Sequence, residues 1–245
     1  MRNMKLSLTI ACLTALILSA CAQSYTLTPT SAEIESAGML ALHGKQSAAI
    51  KKLTFWAEHH MPTAQRELGL AYITMPDKLN AGIDWLNKAA SAGDEEAQFQ
   101  LAEAAYKGQL GFTQDYRQAW KWYEAAARQN NAKASFMLAR MCKYGEGRAK
   151  NLNESIAWLK KSSEQGNAQA MFLLSNAYAA GEGVRQDASE ARKWLELAAE
   201  GDFPVAIQAL AIELQGQTSA GHDLRARHLI KEASDERLMR WNKYQ

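Results

Sequence analysis

The residues that most often carry chemistry are scarce in this chain. It holds three cysteines and five histidines in 245 residues. Cys12 and Cys21 fall in an apolar N-terminal stretch, so only Cys142 stands in the body of the protein. One thiol cannot form an internal disulfide, and Cys142 is read as a buried core residue. The histidines form no HExxH, and there is no CxxC, no GxSxG and no P-loop. His59-His60 is the single histidine pair, and neighbouring helical residues point about 100° apart, a poor geometry for chelation. Glu95-Glu96 opens a helix, where negative charge is favourable beside the dipole. No catalytic residue, metal site or cofactor is expected, and no small-molecule substrate. A charge imbalance is lacking too. Removal of Arg2 and Lys5 with an N-terminal signal lowers Lys plus Arg from 28 to 26, against 26 Asp plus Glu. A neutral chain gives no reason to expect nucleic acid or an acidic membrane surface as partner.

Met1-Arg2-Asn3-Met4-Lys5 carries two positive charges ahead of an apolar or small run, 6–20. Residues 1–20 read as a secretory signal, too short for a good membrane span. Leu18-Ser19-Ala20-Cys21 resembles a bacterial lipobox. That resemblance implies a lipoprotein in which Cys21 is acylated and becomes the first residue. Ala22 follows it in place of the aspartate that retains such proteins in the inner membrane, so in a Gram-negative cell the expected site is the outer membrane, facing the periplasm. Residues 21–30 are polar and read as a tether. Residues 31–60 suit a capping hairpin, with Ser31-Ala32-Glu33 as a helix start and Gly44 at the turn.

What the chain has in quantity is repetition. In 167–201, Ala170, Leu174 and Tyr178 recur at the spacing of one helical face. Gly181-Glu182-Gly183 stops that helix, and Asp187 with Glu190 has the spacing of a capping box for the next. A second stripe follows, Ala191, Trp194, Ala198 and Ala199, and Gly201 ends it. The tryptophan recurs at Trp85, Trp122, Trp158 and Trp194, spaced by 37, 36 and 36. The first-helix leucine recurs at Leu68, Leu101, Leu138, Leu174 and Leu210, each four residues after an alanine. Asp115, Asn151 and Asp187 are the expected caps of the second helices. The expected repeat core is Trp85, Trp122, Trp158 and Trp194 with Leu101, Leu138 and Leu174. Lone hairpins cannot bury such faces, so neighbours must stack into an all-α solenoid of antiparallel helix hairpins.

The order Ala-x-Phe/Tyr-x-Leu, Tyr, Gly-x-Gly-Val, Asp, Ala, Trp, Ala-Ala, Gly resembles the Sel1-like repeat, a relative of the tetratricopeptide repeat. About five copies are read, at 61–93, 94–130, 131–166, 167–201 and 202–234, with a capping tail at 235–245. The first lacks the Gly-x-Gly turn and has Thr74-Met75-Pro76 there; the last has Leu229 in place of the tryptophan.

The resemblance implies a right-handed superhelix that acts as a protein-interaction scaffold, with the first helix of each pair on the concave face. Arg66, Glu103, Lys107, Arg140, Lys143, Tyr144 and Asn176 are the candidate binding residues on that face. Phe99, Phe136 and Phe172 form a row beside them, read as packing between repeats. Trp120 and Tyr123 flank Trp122 on a second helix, and exposure of one or both on the convex side is the alternative contact surface. The expected function is a membrane-anchored periplasmic scaffold holding a protein or peptide of unknown identity. The alternatives are a structural envelope lipoprotein with no specific partner, and a cell-wall or beta-lactam-binding role like that of cysteine-rich relatives. The last is disfavoured because the paired cysteines of those relatives and a Ser-x-x-Lys motif are missing.

Overall fold

A computed structural model describes residues 28–215 and Lys231. The signal, Cys21, most of the tether, the second helix of the fifth copy and the tail lie outside the described residues. Within them the chain is all-helical: eleven α-helices, one short 3-10 turn and no strand. The helices are α1 (Ser31–Leu42), α2 (Ser47–Glu58), α3 (Pro62–Ile73), α4 (Leu79–Ser91), α5 (Glu95–Lys107), α6 (Tyr116–Arg128), α7 (Ala132–Tyr144), α8 (Leu152–Glu164), α9 (Ala168–Ala180), α10 (Ala188–Glu200) and α11 (Pro204–Gln215). From α3 onward, odd-numbered helices are first helices of the repeats (helix A) and even-numbered ones second helices (helix B). The chain divides into two compact units between Trp85 and Leu86, within α4.

Three helix-A starts, those of α5, α7 and α9, obey one rule. Asp94, Asn131 and Asn167 each accept from the amide of the repeat alanine, Ala97, Ala134 and Ala170, at 2.9 Å. A side-chain acceptor there satisfies a donor that the first helical turn leaves free. The helix-B starts are capped by Asp115, Asn151 and Asp187, whose side chains accept from Gln118, Glu154 and Glu190 amides. The reciprocal half of a capping box does not form. The cap amides instead donate to helix A of the same hairpin: Asp115 to Ala105, Asn151 to Cys142 and Asp187 to Tyr178 carbonyls, at 2.8–3.0 Å. Glu154 and Glu190 are thereby released to pair with Arg148 and with the Trp194 indole N–H. A full capping box does occur at Thr30 and Glu33, where α1 begins.

Inside each hairpin, the small residue three before the tryptophan meets helix A at the fifth residue past its alanine. A Cβ on Gly82 would lie 2.9 Å from the Gly69 carbonyl. Ser155 Oγ donates to the Ala139 carbonyl at 2.8 Å, and Ser175 Oγ to the Ala191 carbonyl at 2.7 Å. Small side chains at both positions let the two backbones approach this closely.

The leucine row is the core. Leu101, Leu138, Leu174 and Leu210 are all buried, and each such burial contributes roughly 1.5–3 kcal/mol before ordering costs. The tryptophans differ from expectation: Trp85, Trp122, Trp158 and Trp194 are half-buried. The residue that follows each one, Leu86, Tyr123, Leu159 and Leu195, is buried instead. The helix-B stripe centres on that following position, about 100° round the helix, and leaves the tryptophan at its edge. There the indole covers apolar surface while its N–H reaches a polar partner, as Trp194 does with Glu190. Gly201 ends α10 as expected, as its C-cap. It keeps a right-handed backbone, φ −81°, and Asp202, φ 56°, makes the left-handed step.

Candidate protein-binding face

The Gly-x-Gly turns set the site. Gly145 and Gly181 close α7 and α9 with left-handed backbones. The second glycines, Gly147 and Gly183, lie flat on the first residue of the preceding helix B. A Cβ there would come within 2.8–3.0 Å of Tyr116 and Leu152 main chain. The turn is therefore pressed against the preceding repeat, and the residue between the glycines is carried to a fixed place. Glu146 accepts from the Tyr106 hydroxyl of α5 at 2.9 Å. Glu182 accepts from Lys143 of α7 at 2.8 Å. Each turn thus reaches back to the helix A before it.

Between α7, α8 and α9 lies a cavity of about 250 Å³. Its floor is apolar, with Phe136, Ile156, Leu159 and Leu173, and its rim carries Arg140, Lys143, Tyr144 and Glu182. Tyr144 is 63% exposed. Arg140 makes a 3.7 Å contact with the Met137 sulphur and meets no carboxylate within ion-pair distance among the described residues. Three of the seven candidate residues, Arg140, Lys143 and Tyr144, thus gather at one opening.

The other candidates fall elsewhere. Glu103 accepts from the Tyr123 hydroxyl and pairs with Lys107 one helical turn on. Asn176 is exposed beside a second cavity between α9, α10 and α11. Arg66 belongs to the first unit, where it pairs with Glu67 at 2.8 Å. The phenylalanine row packs between helices: Phe99 against Tyr123 and Phe172 against Phe203, with ring centres 5.7 and 5.5 Å apart.

The helix-B aromatics are not a free surface. Tyr123 is fully buried, which removes it from the alternative convex surface, because it occupies the centre of the helix-B stripe. Trp120 is half-buried, its ring under the Arg148 guanidinium at 4.2 Å and edge-on to Trp158. Burial raises the Tyr123 phenol well above its ordinary range, and the bond to Glu103 adds to this. Tyr106 is pushed to about 12, by burial first and then by Glu146. Cys142 is a buried free thiol, pushed up to about 11 mainly by burial. His59 hydrogen-bonds the Phe55 carbonyl at 2.7 Å, and no group of metal-ligating side chains occurs among the described residues.

Sequence reasoning passed over Glu146, Glu182 and Leu173. The signal for the first two was present, since the residue between two turn glycines must lie at a fixed edge.

These features define a class, the all-α repeat solenoid with a polar face on its first helices. The family model for the Sel1 repeat matches residues 62–94, 95–131, 132–167 and 168–203. The chain belongs to the Sel1-repeat family, whose members are generally protein–protein interaction scaffolds and typically non-enzymatic. A Sel1 repeat protein from Oxalobacter formigenes is similar at 26% identity and a TM-score of 0.74, over 84% of this chain and 88% of that one. A protective antigen of uropathogenic Escherichia coli with an SLR fold is similar at 26% identity and a TM-score of 0.71. The match covers 84% of this chain but 46% of the antigen, so the chain spans less than half of that protein. The immunity protein PA5088 of Pseudomonas aeruginosa, 15% identical with a TM-score of 0.50 over 86% of this chain and 84% of its own, shares the fold alone. No curated protein matches the chain.

Proposed function

We propose that this protein is a membrane-anchored scaffold of the bacterial envelope, facing the periplasm, that holds a protein partner on its helix-A face. The observation that carries the reading is the cavity at Arg140, Lys143, Tyr144 and Glu182, where an apolar floor opens under a charged rim. That combination suits a side chain of an incoming segment, with polar groups to fix its direction. The mechanism is presentation: rigid hairpins hold the partner in place, and no bond is made or broken. The anchor rests on the lipobox-like Leu18-Ser19-Ala20-Cys21, and the outer-membrane destination on Ala22 after it.

The binding half is tested with a photocrosslinking residue at Tyr144, compared with one at Lys121, which is exposed on helix-B α6. Lys121 is a better comparison than Trp120, whose ring is covered by Arg148. A discrete adduct from Tyr144 and none from Lys121 is expected in cells. Adducts from Lys121 alone would move the binding surface to helix B. The anchor is tested by labelling cells with an alkyne fatty acid. The wild-type chain should take up label and Cys21→Ser should not; equal labelling would remove Cys21 as the lipid site.

A further inference from the structure

The helix-A faces of the second unit change character from one repeat to the next in a definite order. Two positions matter, one residue before the repeat alanine and six after it. They are seven residues apart and therefore share one helical face. In α5 they are Glu96 and Glu103, both acidic. In α7 they are Lys133 and Arg140, both basic. In α9 they are Gln169 and Asn176, both amides, and in α11 Val205 and Ile212, both apolar. Each helix is uniform at its pair, and no two helices agree.

These side chains are reachable. Lys133, Gln169 and Asn176 are exposed, Glu96, Glu103 and Arg140 are half-buried, and Val205 and Ile212 are 50% and 61% exposed. An exposed aliphatic pair is unusual for a position that is polar in every other repeat of this unit. The basic and amide faces adjoin, since Arg140 of α7 and Gln169 of α9 line the same cavity. Neighbouring charges do not blur the order. Lys107 neutralises Glu103, whose other oxygen accepts from the Tyr123 hydroxyl, so Glu96 carries the acidic step. Lys143 is paired with Glu182 and Glu213 with Arg192, while Glu146 is held by the Tyr106 hydroxyl. A net negative face on α5 and a net positive face on α7 remain.

We infer that this acid, base, amide, apolar strip is read by an extended segment of a partner protein with the complementary order: a basic residue, an acidic one, an amide or hydroxyl, and an aliphatic one. The inference rests on the helix-A face being the binding face. Each helix A packs on the helix B before and after it, about 8–10 Å away, so successive helix-A faces stand at least that far apart. An extended chain advances about 3.3 Å per residue, and successive recognised residues fall at least three apart, the spacing taken here. The segment has the form Lys-x-x-Glu-x-x-Asn-x-x-Leu, in one chain direction or the other. Opposite charges at the first two places supply register as well as attraction, because a segment shifted by one repeat sets like charges together.

The test uses the full chain and fluorescent decapeptides with serine at every x, read by anisotropy at low salt. The peptide above and its reverse are compared with a peptide in which Lys and Glu are exchanged. One chain direction of the ordered peptide is expected to bind at least tenfold more tightly than the exchanged peptide. The double variant Glu96→Lys with Lys133→Glu is expected to remove that preference, because each helix then carries one charge of each sign at its pair. Both substitutions are at helix surfaces, and an unchanged thermal transition confirms that the variant is folded. Equal affinity for ordered and exchanged peptides, no detectable binding of any, or a preference unchanged in the folded variant would each overturn the inference. The scaffold reading stands or falls separately, on the Tyr144 crosslink.

Discussion

In the first repeat the chain passes from α3 to α4 through Thr74 and a 3-10 turn at Pro76–Lys78; in the fourth it passes from α9 to α10 through Gly181-Glu182-Gly183. The first passage is held by short-range bonds, Met75 to Tyr72 and Lys78 to Met75. The fourth is stitched across the hairpin from Asp187 to Tyr178 and lies with Gly183 against Leu152 of the preceding repeat. Glycine serves different ends in the two. In the first repeat Gly69 and Gly82 bring the two helices of one hairpin together. In the fourth, Ser175 and Ala191 perform that task, and glycine is spent on contact between hairpins. In the third and fourth repeats the second glycine of the turn, Gly147 or Gly183, therefore contributes to coupling with the preceding repeat, whereas Gly111 of the second repeat has nothing within 4 Å of its Cβ position. The same contact aims Glu146 and Glu182 at the helix-A face.

The largest predicted effect breaks that contact. Gly183→Ala puts a Cβ within 2.9 Å of Leu152 main chain at a φ of 71°. It should destabilise the protein by about 3 kcal/mol, combining clash and backbone strain, with a lowered midpoint in urea denaturation. Gly166→Ala is the control. Its φ is 86° and nothing lies within 4 Å of the new Cβ, so about 1 kcal/mol is expected. Equal losses at the two sites would show that backbone strain alone accounts for both.

Tyr123→Phe should cost about 1 kcal/mol, the net worth of a typical hydrogen bond, since Glu103 keeps Lys107. The raised phenols make a related prediction about pH. Tyr106 at about 12 and Tyr123 higher stay protonated when folded, whereas an unfolded tyrosine ionises near pH 10. Their contribution is complete below about pH 10 and is lost as pH rises toward 12, so the thermal midpoint should fall across that window. The Tyr123→Phe variant should lose less of its midpoint there. Cys142 should resist a thiol reagent at pH 8 until the chain is unfolded. The smallest effect is expected from Ser175→Ala, within about 0.5 kcal/mol, because its partner carbonyl already sits in a helix. The equivalent place in the second repeat is Ala102.

The period, the alanine and leucine rows and the helix-B caps were legible because each recurs at a fixed offset, and recurrence exposes what a single helix would not. Two features were not. The tryptophans were taken as core because hydrophobicity reports that a residue prefers burial, not on which edge of a stripe it stands. The capping boxes failed because Asp115, Asn151 and Asp187 spend their amides on carbonyls of the neighbouring helix, a competition that local sequence does not display. The candidate site was half legible. Arg140, Lys143 and Tyr144 share one helix, so spacing could group them, whereas Leu173 and Glu182 reach the same cavity from the next repeat.

The most direct test of a helix-A binding face is hydroxyl-radical footprinting of the anchored protein, with and without the partner recovered through Tyr144. Tyr144, Leu173 and Ile212 should be protected, while Trp122 and Trp194 on helix B react as before. Protection of Trp122 and Trp194 with Tyr144 and Leu173 unchanged would contradict the account.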